Sequence, residues 1–308
     1  QAHFPQPSCQ AEGVGFPQLR LCAVLDLASG ALLEAASGPH QGAGHSELDL
    51  SRTLLSAFSK GDLLLADALY AHYFLVAQLI EAGVDVLLKQ HGSRHTDFRR
   101  GRRLGVRDHV VHWPKPHTRP GWMTREQYNA FPAQICMREV KVGGRILVTT
   151  MRDAAAVNKA ELHALYRRRW NIELAFGSLK TTLGMDVLRC RTPQMIEKEL
   201  WVYLLAYNLI RLLMAQAAVQ SGQLPQQLSF KHTVQLWNAW TSRARARTPK
   251  FDITQLFALA AQLRVGHRPG RCEPRAKKRR PKSFPWLKVP RHIARQRNLA
   301  HPDWLRVK

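Results

Sequence analysis

The sequence predicts an α/β protein: a mixed sheet with helices on its faces, followed by a helical carboxyl-terminal region. Three observations carry that expectation. Apolar runs of strand length alternate with helical patterns between Leu19 and Leu88. A basic, strand-rich stretch at residues 90–145 then breaks the alternation. Beyond it, apolar segments open on capping residues and close on glycine. With 308 residues the chain can bury one large core or two medium ones.

Residues 1–19 are rich in Pro and Gly and read as loop. Leu19–Leu27 is a strand, and Ser29-Gly30 turn it into Ala31–Ser37 as an antiparallel hairpin. Ser46 opens a helix through Leu50, Leu54 and Leu55 that ends before Gly61. Gly61–Asp67 reads as a buried strand closing on an acid, followed by a helix over His72–Ala82 and a buried strand at Val84–Leu88. Residues 1–89 thus form the first part of the sheet domain, and 90–145 a β-rich insertion. The insertion begins with a basic run (Lys89, Arg94, Arg99, Arg100, Arg102, Arg103, Arg107) and carries strands at His109–Trp113, Ile135–Val142 and Arg145–Met151. Phe98, Trp113 and Trp122 lie among these cations, where aromatics can stack on an exposed base, although a core role is commoner for any one tryptophan.

Residues 146–222 hold two helices. Asn158 with Glu161 makes a capping-box start and Gly184 a stop. Thr192-Pro193 opens the second, which is apolar nearly all round, closes near Gly222, and reads as a buried brace with Tyr207 and Asn208 as core hydrogen-bonders. Residues 223–308 are a basic region with a helix near Asp252–Leu263 and a tail whose Lys277-Lys278-Arg279-Arg280 run is either solvated or laid on DNA.

Charge narrows the partner. Lys plus Arg number 46 against 22 Asp plus Glu, a net +24, while hydrophobic content is an ordinary 45%. A folded chain this basic implies a polyanion, and nucleic acid rather than membrane, since no basic amphipathic helix or bilayer-spanning run stands out. Cys9, Cys22, Cys136, Cys190 and Cys272 are scattered and never form C-x-x-C, which suggests a reducing cytoplasm and no structural zinc. His40 with His45, and His91 with His95, lack a third ligand at metal spacing and read as surface or DNA-facing groups.

The richest stretch is Tyr166–Lys180. At about 100° per residue, Tyr166, Arg169, Glu173 and Lys180 fall on one helical stripe. Leu165, Ile172, Phe176, Leu179 and Leu183 form an apolar stripe beside it, so the polar groups stand at the margin of a buried edge. A solvated face explains Arg167 and Arg168 well, and a lone Glu173 between Arg169 and Lys180 less well. Asp67, at the carboxyl end of a strand, sits where α/β sheets bind ligands, although capping the next helix is an equal alternative.

The spacing Tyr-x2-Arg-x3-Glu-x6-Lys resembles the signature of the IS4 family of bacterial insertion-sequence transposases. The runs 181–190 and 204–211, the loop around Asp97–Gly105, and Gly61–Asp67 with Tyr70 look like that family too, although Ala68-Leu69 depart from its commoner residues. The resemblance covers nearly the whole chain. It implies a ribonuclease H-like catalytic domain performing metal-dependent DNA end cleavage and strand transfer by cut-and-paste transposition. Asp67 and Glu173 would be two of three metal-binding carboxylates for two Mg2+ ions, with Mn2+ as a substitute. Tyr166, Arg169 and Lys180 would serve the DNA end. The partners would be double-stranded DNA, as terminal inverted repeats and target, and a second copy in a homodimeric synapse, in the bacterial cytoplasm beside the nucleoid. The family's first Asp is expected before Gln1, because residues 1–19 look like the loop that follows it, and Asp26 is not a substitute. The chain is therefore expected to bind DNA and to cleave poorly. A non-catalytic DNA-binding remnant is the alternative, and a structural RNA-binding protein a more distant one.

Overall fold

The computed structural model describes residues 3–9, 11, 13–245, 253–266 and 289–300. The Lys277–Arg280 run and Cys272 lie outside them. In chain order the main elements are β1 (Leu19–Leu25), β2 (Leu32–Pro39), α1 (Glu47–Thr53), β3 (Leu63–Ala66), α2 (Tyr73–Glu81), β4 (Asp85–Lys89), β5 (Arg102–Gly105), β6 (Asp108–Pro114), α3 (Arg125–Ala130), β7 (Gln134–Val142), β8 (Arg145–Thr149), α4 (Lys159–Arg167), α5 (Asn171–Gly177), α6 (Pro193–Gln220), α7 (Phe230–Arg245), α8 (Ile253–Gln262) and α9 (Arg291–Ala300). This is the expected architecture, a ribonuclease H-like mixed sheet flanked by helices with a helical carboxyl-terminal region.

Six strands make the sheet in the order β3-β4-β8-β7-β6-β5, with β3 and β4 parallel and the other pairs antiparallel. Both faces of β4 are covered. Val86 and Leu88 pack with Phe74, Val76 and Leu79 of α2, and Leu87 packs with Leu162 and Tyr166 of α4 on the other side. That is why three successive residues are fully buried and the strand reads as an unbroken apolar run. Each such side chain contributes roughly 1.5–3 kcal/mol by leaving water.

Residues 90–145 bring β5, β6 and β7 into the same hydrogen-bonded sheet as β3 and β4. The β1–β2 hairpin forms as expected but stands as its own two-stranded sheet. β3 is half-buried along its length, not buried, because only β4 pairs with it. Among the described residues β1 pairs only with β2 and β3 only with β4, and a groove of about 240 Å3 lies between β1 and β3. β5, α3, α7 and α9 were not legible as elements.

α6 is a brace on one face only. Leu204, Tyr207, Met214 and Ala217 are buried, while Val202, Leu205, Leu209 and Leu212 of the opposite face are exposed. By length and composition it could cross a bilayer, against the sequence reading, but its polar groups are tied into the fold. The Tyr207 hydroxyl donates to the Gly30 carbonyl at 2.8 Å, and the Asn208 amide pairs with both the N–H and the carbonyl of Leu32, each at 2.8 Å. These are the core hydrogen bonds expected of the two residues, and they lock the hairpin to the helical region.

Candidate active site

The predicted catalytic helix starts where its cap dictates. The Asn158 side chain accepts from the N–H groups of Ala160 and Glu161, and Glu161 returns the bond to the Asn158 N–H at 2.7 Å. The path is helical to Thr182 but not uniform. A 3-10 turn at Arg168–Trp170 tightens it, and a wide turn at Ser178–Thr182, closed by Leu183 N–H to the Ser178 carbonyl at 3.0 Å, loosens it. Gly184, at φ +83°, ends it.

On this path the four predicted polar residues have different surroundings. Tyr166 is in the core, 4% exposed, against Leu87, Val140, Leu147 and Leu162. Burial pushes its hydroxyl above the ordinary value, as does the charge of Asp67, while Arg169 beside it pulls the other way. Arg169 donates to Glu173 Oε1 at 2.9 Å, and Glu173 is otherwise exposed. Lys180 is exposed one wide turn further on, its ammonium 5.8 Å from the Phe176 ring centre. Seven residues past Glu173, it stands about 10 Å along the axis.

Asp67 reaches the same place from the sheet. It follows β3, and its Oδ1 accepts from the Leu69 N–H at 2.8 Å, capping the short turn Ala68–Tyr70. Capping and a ligand role were alternatives on sequence. The geometry permits both, because the cap uses one oxygen of an exposed carboxylate. Asp67 and Arg169 both line the groove between β1 and β3; Tyr166 feels the charge of Asp67, and Glu173 is joined to the groove through its bond with Arg169.

Two residues there were not singled out from sequence. The Tyr70 hydroxyl donates to Glu47 Oε1 at 2.7 Å and lies 3.7 Å from Cys22 Sγ, so the turn after Asp67 is fixed to both α1 and β1. Burial, with Cys22 and Glu47 adding to it, raises the Tyr70 hydroxyl far above its usual range. Glu47 and Cys22 are 23 and 48 positions from Tyr70, too far for any local pattern to pair them. Asp26 is occupied elsewhere. Burial raises its carboxyl, but bonds from Ser29 and Ala28 in the hairpin turn, with Arg168 nearby, outweigh that and hold it below its ordinary value.

The Transposase DDE domain family model matches residues 2–209, two thirds of the chain. The chain belongs to that family. The IS4 resemblance is borne out with it. Over 298 residues the chain is 29% identical to the transposase InsG for insertion sequence element IS4 of Escherichia coli, covering 92% of this chain. It is 34% identical over 71 residues to the transposase for insertion sequence element IS421 of Escherichia coli, covering 23% of this chain and 19% of that protein. The chain spans 65% of the length of InsG.

DDE domains use divalent metal ions, which raises the question whether these residues could hold them. Asp67 and Glu173 are hard oxygen donors of the right kind. Among the described residues, however, no three His, Cys, Asp or Glu side chains gather as a ligand cluster. Two carboxylates, one of them ion-paired, are too few to clamp two cations. The described residues therefore do not complete such a site by themselves.

Proposed function

We propose that this DDE domain binds double-stranded DNA, both terminal inverted repeats and target, as part of an IS4-type transposase that cuts and pastes DNA through end cleavage and strand transfer. The observation that carries the reading is that Asp67, at the end of a strand, and Arg169, which is ion-paired with Glu173, line one groove. In that reading Asp67 and Glu173 are metal-binding carboxylates for Mg2+, with Mn2+ as a substitute. Asp67 and Glu173 would help hold such ions, whose chemistry is electrostatic stabilisation of charge on the reacting oxygens. Arg169 and Lys180 neutralise phosphates beside the reacting strand, Arg through its planar fork and Lys as a point charge. Tyr166 acts from below, its buried ring orienting Arg169. The setting is the bacterial cytoplasm, beside the nucleoid, and two copies join the two DNA ends.

The third carboxylate is not supplied by the described residues. A third carboxylate would have to stand in the groove between β1 and β3, beside Asp67 and Arg169. On this reading a site with only those two carboxylates binds DNA and cleaves it poorly, and a non-catalytic DNA-binding remnant is the second reading. One experiment separates them. Labelled duplex carrying the element's terminal repeats is incubated with the chain and with Glu173→Gln, with and without Mg2+. Salt-sensitive binding with faint Mg2+-dependent nicking that Glu173→Gln abolishes supports the impaired enzyme. Binding indifferent to Mg2+ and to Glu173 supports the remnant, and robust cleavage lost in Glu173→Gln would sink the idea that a carboxylate is missing.

A further inference from the structure

The basic run between β4 and β5 is built around one buried carboxylate, Glu139 of β7, which is 4% exposed. Glu139 Oε1 accepts from Trp113 Nε1 at 2.8 Å. The Thr96 hydroxyl lies 2.5 Å from Glu139 Oε2 and 2.7 Å from Gln90 Oε1, within donating range of both. His109 Nε2 is 3.3 Å from the same Oε2, and its Nδ1 is 2.6 Å from the Arg100 carbonyl oxygen. Gln90 Nε2 donates to the Arg94 carbonyl at 2.5 Å. The Arg94 guanidinium lies 3.8 Å over the Trp113 ring, and Phe98 stacks on His109 at 4.8 Å.

The loop is thus divided by position. Arg94, Thr96, Phe98 and the Arg100 backbone are bonded to or packed on β6 and β7, and Gln90 ties Thr96 to the Arg94 carbonyl. Arg102 and Arg103 are exposed, as are the side chains of Arg99 and Arg100, at 90% and 83%. A solvated charge run needs no such internal frame, and a frame made only for stability needs no rank of outward arginines.

We infer that Glu139 is a positioning residue for phosphate contact: it holds residues 90–101 as a preformed basic arch whose arginines meet the backbone of duplex DNA. The inference rests on the DNA-binding reading above. Rigidity matters because long cations such as Arg99 and Arg100 on a loose loop would lose conformational freedom on binding, and a preset loop has already lost it. Thr96 is the link through which Glu139 acts on the loop.

The test is fluorescence anisotropy of the full chain with a labelled duplex across a salt series, paired with hydrogen exchange. The wild type is expected to bind with a steep salt slope, and a flat one would refute the DNA reading itself. Replacing both Arg99 and Arg100 by Ala should weaken binding and lower the slope by about two, at roughly one unit per phosphate. Thr96→Val, which keeps the shape and removes the hydroxyl, should weaken binding by about threefold to tenfold and lower the slope. It should also speed exchange at residues 91–101 while the melting temperature stays near wild type. Thr96→Ser should restore all three, and Glu139→Gln should fall between. The inference is overturned if Thr96→Val and Glu139→Gln keep wild-type affinity and slope while the double arginine variant loses them.

Discussion

Arg138–Asp108 and Arg169–Glu173 are both arginine–carboxylate pairs, and their surroundings are opposite. In the first, Nε and Nη2 of Arg138 form a fork on Asp108 at 2.8 and 2.6 Å, and the side chains are 0% and 7% exposed. Nη1 donates to the Val157 carbonyl at 2.8 Å, one residue before the cap of α4. In the second, a single bond of 2.9 Å joins side chains that are 23% and 42% exposed. The buried pair has its polar groups met and fastens β6 and β7 to the start of the helix that carries Tyr166. The exposed pair is weakly held, and opening it costs at most about 1 kcal/mol. A carboxylate that is to serve a ligand must be of the second kind. The contrast separates the scaffold from the site.

The largest effect should come from the scaffold. Arg138→Met leaves Asp108 charged, buried and without a partner, and should cost about 3–5 kcal/mol in a denaturant titration. A loss under about 1 kcal/mol would mean that the pair does not hold the sheet to α4, and the comparison would fail at its stronger end. Next comes Gly101→Ala, at the end of the basic arch. Gly101 has φ +76°, and a methyl there would run into the Val110 carbonyl of β6. About 1–3 kcal/mol of strain is expected, together with weaker DNA binding. Loss of binding with no loss of stability would show that the arch is softer than its bonds suggest.

Comparable in size is Asn208→Ala, which strips two bonds from the Leu32 backbone and should cost about 1–3 kcal/mol. Hydrogen exchange should place the damage in β1 and β2, leaving the large sheet protected. Equal loosening of both would mean that the hairpin and the sheet are a single cooperative unit despite their unpaired edges.

How far the sequence could be read follows the same line between local and distant. The hairpin, β4, the Asn158 cap and the Thr192-Pro193 start were legible because strand period, turn glycines and caps act over a few residues. Asp67 and Glu173 were legible as chemistry because each sits on an element whose end or face was already fixed. Arg138 and Asp108 were not, since they are 30 residues apart and meet only through the register of β6 with β7. Glu139 was hidden for the same reason, its partners coming from β6 and the preceding loop. α6 misled in another way. Apolar residues all round implied burial all round, but the structure covers one face and leaves Val202, Leu205 and Leu209 outside.

The smallest stability effect should be at Glu173, to which the proposed function gives the largest chemical role. Glu173→Gln keeps the shape, can still accept from Arg169, and removes one charge from a half-exposed pair. Its unfolding free energy should change by less than about 1 kcal/mol. Its affinity for duplex DNA without metal should hold or rise slightly, because a negative charge beside the phosphates has gone. Any Mg2+-dependent nicking should vanish. The combination is diagnostic, because a carboxylate kept for structure would show the reverse: lost stability first, and lost activity only as a consequence. If Glu173→Gln destabilises the protein as much as Arg138→Met, then the Arg169–Glu173 pair belongs to the scaffold, and the acid at the mouth of the groove must be Asp67 alone.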